Sequence, residues 1–251
     1  MDTASINRRR TQLTYRMLVA EQRRTIRLLQ QTMQPAQGTA EIAGLRVTAR
    51  CTSAEPDLQI GGDWYLAIPL PGDDIVLAVG DTTGHGLAAA AGMLRLRFAM
   101  AALAAEDSAP ARILQRLNSI VCRSGLAVAA SAVVARYRPS NGELTSARAG
   151  HPPVLIAGPH GATALTDTGG PLLGVVENAV FDHTTRRVHL GEHVLLHTDG
   201  LHRRGQTRDD WTAGQSDRLR ETDGDAQALL ERLEYGASGD DACFLMAQRL
   251  H

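Results

Sequence analysis

The chain has 251 residues and a formal net charge of −1, enough length for one sizeable domain with an appendage and no global charge that would favour nucleic acid. Aromatic residues are only 4% of the total, which argues against a site that stacks bases, and all 26 basic residues are Arg. Cys51, Cys122 and Cys243 are scattered through apolar surroundings with no CxxC or Cys/His spacing, so zinc is excluded and they read as small core residues in a reducing, cytoplasmic compartment.

Residues 1–10 are polar. Residues 11–34 lack Gly and Pro, which predicts a helix ending before Pro35. Tyr15, Val19, Gln22, Ile26, Leu29 and Met33 alternate in steps of four and three, the seam of a coiled coil with one polar position. A single amphipathic helix packed on its own domain fits the same pattern. Residues 1–34 carry seven Arg against two acids, which suits an acidic partner or membrane surface. No apolar run approaches the roughly 20 residues that span a bilayer, and no apolar stretch backs the basic N-terminus, so neither a transmembrane segment nor a signal peptide is read. Residues 35–40 read as a linker and residues 45–51 as the first strand.

Two glycine-rich stretches follow. Gly61-Gly62-Asp63-Trp64-Tyr65 precedes Gly80-Asp81-Thr82-Thr83-Gly84-His85-Gly86, and the apolar run at 75–79 lies between them behind the turn Pro71-Gly72-Asp73-Asp74. That run reads as a buried strand ending at Asp81, where a tight turn opens a helix. A hairpin returns Asp63 to the same end. Two carboxylates in glycine-rich backbone repel each other, and a hard divalent cation with oxygen ligands is the usual partner of such a pair. Asp199-Gly200 ends another apolar run, and Asp240-Asp241 leads into a further one. Each is by itself an ordinary turn acid; four such sites together suggest a ligand set.

The apolar, Ala-rich residues 87–105 predict a helix buried between layers. Pro110 starts a second, with Ile113, Leu114, Leu117, Ile120 and Val121 on one face and Gly125 beyond its end. Strands are predicted at 127–138 and 143–148, joined by the hairpin signal Pro139-Ser140-Asn141-Gly142, then at 154–157, 163–166, 183–190, 194–198 and 243–248. A last helix covers 218–235, with Leu229, Leu230 and Leu233 as its apolar face. Many antiparallel strands with few helices indicate an α+β layered fold.

The stretches GGDWY at 61–65, GDTTGHG at 80–86, AGHPP at 149–153, GGPLLGV at 169–175, HTDGL at 197–201 and DDACFL at 240–245 occur in one order. Each is weak alone; the series resembles the metal-dependent PPM-type serine/threonine phosphatases of the SpoIIE/RsbU-like branch, over roughly residues 41–250. The resemblance implies a four-layer α/β/β/α sandwich, two antiparallel sheets flanked by helices, over 41–251, preceded by a linking or dimerising segment at 1–40. It implies two Mn²⁺ or Mg²⁺ ions, with Asp81 bridging them and the Thr82 backbone carbonyl as a further ligand. Asp63 would hold one ion, Asp199 and Asp240 the other, with Asp241 a weaker candidate. Asp63 and Asp81 would be the centre of catalysis, and no Ser or Cys nucleophile is required. The implied substrate is phosphoserine or phosphothreonine on an anti-sigma-factor antagonist in a bacterial partner-switching pathway. The N-terminal helix would pair two copies or receive a regulatory partner.

Two positions depart from the family pattern: Leu66 stands where a second acid is common, and Arg148 where Asn commonly precedes AGH. Leu66 keeps open a catalytically weak or inactive homologue that acts as a binding scaffold. A nucleotide phosphohydrolase finds no GxxxxGK[ST] cradle. His85 reads equally as a capping or packing residue and as a proton-transfer group, His151 as a structural loop residue, and Gly169-Gly170-Pro171 as a turn near the site.

Overall fold

Runs of apolar and β-branched residues set the architecture of the computed structural model, which describes residues 17, 37–54, 61–84, 86–124, 129–158, 161–202, 239–250 and scattered positions between 207 and 228. The chain divides into Met1–Gln34 and Pro35–His251, and every element below belongs to the second unit. The helix predicted at 11–34 lies outside the described residues except for Met17, which is helical and exposed. His85 and the apolar face at Leu229, Leu230 and Leu233 also lie outside them.

The strands are β1 (Gly38–Ile42), β2 (Leu45–Thr52), β3 (Trp64–Pro69), β4 (Ile75–Thr82), β5 (Ala130–Arg138), β6 (Glu143–Ala149), β7 (Leu155–Gly158), β8 (Gly161–Ala164), β9 (His183–Arg187), β10 (His193–His197) and β11 (Ala242–Arg249). The helices are α1 (Gly86–Glu106) and α2 (Pro110–Arg123). One sheet runs β1-β2-β11-β10-β7-β8 and the other β3-β4-β5-β6-β9, and every pairing between these strands is antiparallel. Side chains alternate along each strand, so Val47, Leu196 and Leu245 of one sheet meet Leu77, Val79 and Val133 of the other in a shared core. α1 and α2 cover the outer face of the second sheet. The outer face of the first buries Leu155, Leu195, Phe244 and Met246 under Trp211, which belongs to a stretch whose described residues 210, 211, 214, 217, 218, 221 and 228 are helical. This is the sandwich that the motif series implied.

Several local expectations are corrected. Gly38 to Ala40, read as linker, belong to β1 and pair with β2. β4 runs one residue past Asp81, to Thr82, instead of ending at the acid. β8 lies two residues earlier than predicted and β9 ends at Arg187. α1 does not lie between layers. Two sheets fill the centre, so the helix packs on one sheet and on the neighbouring α2: Ala90, Met93, Leu96, Met100 and Leu103 are buried, while Leu87 and Phe98 are 56% and 62% exposed. By length and composition α1 could also cross a bilayer, against the reading that no apolar run is long enough; here its buried face is committed to β3 and β4. Cys51 and Cys243, read as separate reduced residues, face each other across β2 and β11 and are joined as a disulfide. Their separation of 192 residues hid the pairing. Cys122 is free and half-buried.

One buried acid away from the motifs has a local partner. Asp74, in the β3–β4 turn, accepts from Arg138 Nε at 2.9 Å and Nη2 at 3.2 Å, a forked pair that explains its burial. Gly80 lies under the indole of Trp64, its register partner on β3. A Cβ there would sit 2.5 Å from the Trp64 ring, and both residues are in the buried interior. Gly80→Ala is therefore expected to destabilise the fold by about 1–3 kcal/mol, the range for overpacking a filled core, read as a lower urea midpoint with unchanged slope. An unchanged midpoint would show that the ring can move aside freely.

Candidate functional site

Ile75, Leu77 and Val79 of β4 face the opposing sheet, and Asp81, two residues further along the same strand, continues that face at its open end. Asp63 immediately precedes β3 and shares its parity with Tyr65 and Ala67, which pack against the same intersheet core. From the other sheet, Asp199 opens a 3₁₀ turn (Asp199–Leu201) directly after β10, and Asp240 and Asp241 lead into the neighbouring β11. The predicted acids thus come from both sheets to one end of the sandwich.

Directed hydrogen bonds join the two sides. Thr198 Oγ1 donates to Asp63 Oδ2 at 2.7 Å and accepts from the Cys243 N–H at 2.8 Å. Asp241 Oδ2 accepts from the Gly62 N–H at 2.8 Å, and its Oδ1 accepts from the Ala54 N–H at 2.9 Å. Both oxygens of Asp241 are therefore occupied by backbone, which makes it a tie for the Gly61-Gly62-Asp63 loop. The Thr82 N–H donates to the Gly62 carbonyl at 3.2 Å. Close approach explains the glycines. A Cβ at Gly61 would lie 2.0 Å from Asp241 Oδ2, and one at Gly62 would lie 2.4 Å from the Thr82 carbonyl oxygen and 3.3 Å from Asp81 Oδ1. The Thr82 carbonyl and the Asp81 carboxylate consequently look onto the same loop. Thr198 is the residue that sequence reasoning missed. Its one signal is a hydroxyl at the buried end of an apolar strand, next to an acid.

Burial raises Asp63 well above the ordinary carboxylate range, and the charge of Asp81 adds to it, while the Thr198 hydrogen bond opposes. Burial likewise pushes Asp81 up to about 6; the hydrogen bond from Asp63 holds it down, and Asp199, Asp240 and Asp241 raise it further. Burial and the charge of Asp81 thus both disfavour ionisation of Asp63. Among the described residues no three acid, imidazole or thiolate groups stand close enough to form a ready metal cage. The chemistry of the acids nonetheless fits a hard divalent cation, since the candidate donors are all oxygens and the excess negative charge is what a cation offsets.

The remaining motif residues fall into place around this cluster. Leu66 is buried on the face of β3 opposite to Asp63, among the contacts to α1. Gly150 N–H donates to the Gly170 carbonyl at 2.9 Å, which holds the Gly169-Gly170-Pro171 turn beside the loop containing His151. Arg148 Nη1 donates to the His151 carbonyl at 3.0 Å. The His151 ring is buried, and burial pushes it down to about 3, with the His197 carbonyl opposing and Arg148 adding to the effect, so it is neutral.

The family model for Stage II sporulation protein E matches residues 71–250. The chain is 26% identical over 151 residues to the phosphoserine phosphatase RsbU of Bacillus subtilis, a match that covers 58% of this chain and 44% of RsbU. The chain thus spans less than half the length of that relative. A crystal structure of the RsbU and RsbW domains of a Mycobacterium tuberculosis protein superposes with a TM-score of 0.72 at 28% identity, over 85% of this chain and 62% of that one. RsbX, solved in complex with magnesium, shares the fold with a TM-score of 0.67 at 19% identity, over 85% of this chain and 99% of RsbX.

The raised carboxyls make a pH prediction with a definite sign. A folded-state value above the ordinary 3.8 means that the native state holds protons that the unfolded state releases. This contribution to stability is complete below 3.8 and is lost as pH rises through about 6. Metal-free protein should therefore show a falling urea midpoint over that window, and Asp81→Asn should flatten the fall. A midpoint that rises with pH for the wild type but not for Asp81→Asn would contradict the sign.

Proposed function

The chain belongs to the SpoIIE family, the RsbU-like branch of the PPM-type phosphatases, and from that premise we propose that it is a metal-dependent phosphatase acting on phosphoserine or phosphothreonine of a folded protein. The observation that carries this reading is the convergence of Asp63 and Asp81 from one sheet with Asp199 and Asp240 from the other. Asp81, between the other acids, would hold two ions, with the Thr82 carbonyl beside it; Asp63 would hold one of them, and Asp199 and Asp240 the other. Mn²⁺ or Mg²⁺ suits such oxygens, and the magnesium complex of RsbX supports the choice. Bound there, the ions supply positive charge for the reacting phosphoryl oxygens and lower the pKa of a water.

The chain's own residues prepare that site. Thr198 orients the Asp63 carboxylate, and Asp241 fixes the loop that carries it. The substrate we propose is a phosphorylated anti-sigma-factor antagonist, supported by the likeness to RsbU and to a structure that contains RsbU and RsbW domains. We further propose that the protein is cytoplasmic and that residues 11–34, read from the sequence as a helix, pair with a second copy or a regulatory partner. The scaffold reading rested on Leu66, which packs on the far face of β3 from the acids.

The pure protein should hydrolyse p-nitrophenyl phosphate with Mn²⁺ or Mg²⁺ and stop on addition of EDTA; turnover that survives complete metal removal would refute the mechanism. Asp81→Asn should lower the rate by at least about a hundredfold, the upper range seen when a single shell partner of a metal is lost, with an unchanged circular dichroism spectrum. A near wild-type rate would remove Asp81 from the centre. Deleting residues 1–34 should leave a folded domain with lost dimerisation or altered basal rate, by light scattering and phosphatase assay. Unchanged mass and rate would end the regulatory reading.

A further inference from the structure

The turn that carries Asp199 rests on an indole that the phosphatase reading leaves without a task. Leu195 of β10 belongs to the outer apolar cluster and Leu196 to the core between the sheets. By the alternation of a strand, His197 then points outward and Thr198 inward. The two are fastened accordingly. Thr198 is tied from inside, to Asp63 at 2.7 Å. His197 is stacked from outside, its ring centroid 3.8 Å from that of Trp211. The turn follows at once, at Asp199–Leu201, and the His202 N–H closes it by donating to the Asp199 carbonyl at 2.8 Å.

The chain leaving the turn comes back to the same indole. The centroids of His202 and Trp211 are 5.2 Å apart, and Leu201 packs in the outer cluster with Trp211. One side chain, 1% exposed, thus meets the residue before the turn, the last residue within it and the residue after it. Gly200, inside the turn, lies against the Asp241 backbone, so the turn is bounded by that backbone as well as by the indole. Trp211 is delivered by a capped helix start. Thr207 Oγ1 accepts from the Asp210 N–H at 3.1 Å, and the Asp210 carboxylate accepts from the Thr207 N–H at 3.2 Å, a reciprocal capping pair. The Trp211 N–H then donates to the Thr207 carbonyl at 3.0 Å. An aliphatic side chain could fill the same space, but stacked rings prefer defined geometries and so fix a direction as well as a volume.

We propose that Trp211 is a positioning residue for divalent-cation binding: its indole clamps His197 and His202, and with them the orientation of the turn that presents Asp199. The inference rests on the reading of Asp199 as a metal ligand. It goes beyond that reading because it gives a role to a side chain outside the acid set, on a separate element.

The test is Mn²⁺ binding measured by titration calorimetry on the full-length chain, with thermal midpoints of the metal-free proteins measured in parallel. Trp211→Leu keeps an apolar side chain and removes the ring; it should weaken Mn²⁺ about tenfold, the lower range for loss of a partner behind a metal ligand. Trp211→Phe keeps a ring and should hold wild-type affinity. Leu155→Ala opens the same outer cluster at the level of Leu195, four residues before Asp199. It should lower the midpoint and leave Mn²⁺ affinity unchanged. If Trp211→Leu does not fold, His202→Ala, at a half-buried position, decides in its place and should weaken Mn²⁺ in the same way. Wild-type affinity in the deciding variant, a Trp211→Phe as weak as Trp211→Leu, or an equal loss in Leu155→Ala overturns the clamp and leaves the phosphatase reading intact. A wild-type protein that binds no Mn²⁺ overturns both.

Discussion

Carboxylates gathered at the open end of a seam between two sheets repel one another, and most of the local structure answers that repulsion. Asp63 and Asp81 come from one sheet, Asp199 and Asp240 from the other, and burial together with the neighbouring charges lifts the first two above their ordinary range. The hydrogen bond from Thr198 to Asp63 works against that shift and crosses from β10 to the start of β3. Because Thr198 also receives the Cys243 N–H, one hydroxyl links an acid of the second sheet to two strands of the first. Such a bond counts for more in a low-dielectric seam than on a surface, and leaving it unmade would cost more as well.

The glycines of the motifs have the same origin. At Gly61 and Gly62 the backbone passes against the Asp241 carboxylate and the Thr82 carbonyl, and at Gly200 a Cβ would come within 1.7 Å of the Asp241 carbonyl oxygen. Side chains there would push the acidic loops apart. Asp241, so close in sequence to Asp240, does different work: its two oxygens hold the N–H groups of Gly62 and Ala54. An acid pair that looks like two equivalent ligands divides into one group open to the cluster and one that holds the frame.

Away from the acids the chain departs from family habit without disturbing the cluster. Leu66 sits on the helix-facing side of β3 and adds to the packing against α1. Arg148 reaches from β6 to the His151 carbonyl and adds to the Gly150–Gly170 and Ser131–His151 bonds that hold that loop. The Cys51–Cys243 bond lies at the β2–β11 pairing, on the residue whose N–H Thr198 receives, so the strand that presents Asp240 and Asp241 is anchored on both of its edges.

The sequence by itself determined the strands whose apolar runs repeat every two residues, the helix after Pro110, the Asn141-Gly142 hairpin, and the series of motifs that names the family. These are local properties, readable because alternation and turn chemistry are set by near neighbours. The acids were legible one by one as turn residues at strand ends. Their arrangement was not: that Asp63 lies beside Asp81, that Thr198 holds Asp63, that Asp241 clamps Gly62 and that Ser131 meets His151 are facts of strand register and sheet stacking. Tertiary structure also decided the disulfide across 192 residues and the one-sided burial of α1. In each case the partner lies far along the chain or on another layer. Local pattern carries no record of such contacts, because they exist only once two sheets have packed and fixed which ends come together.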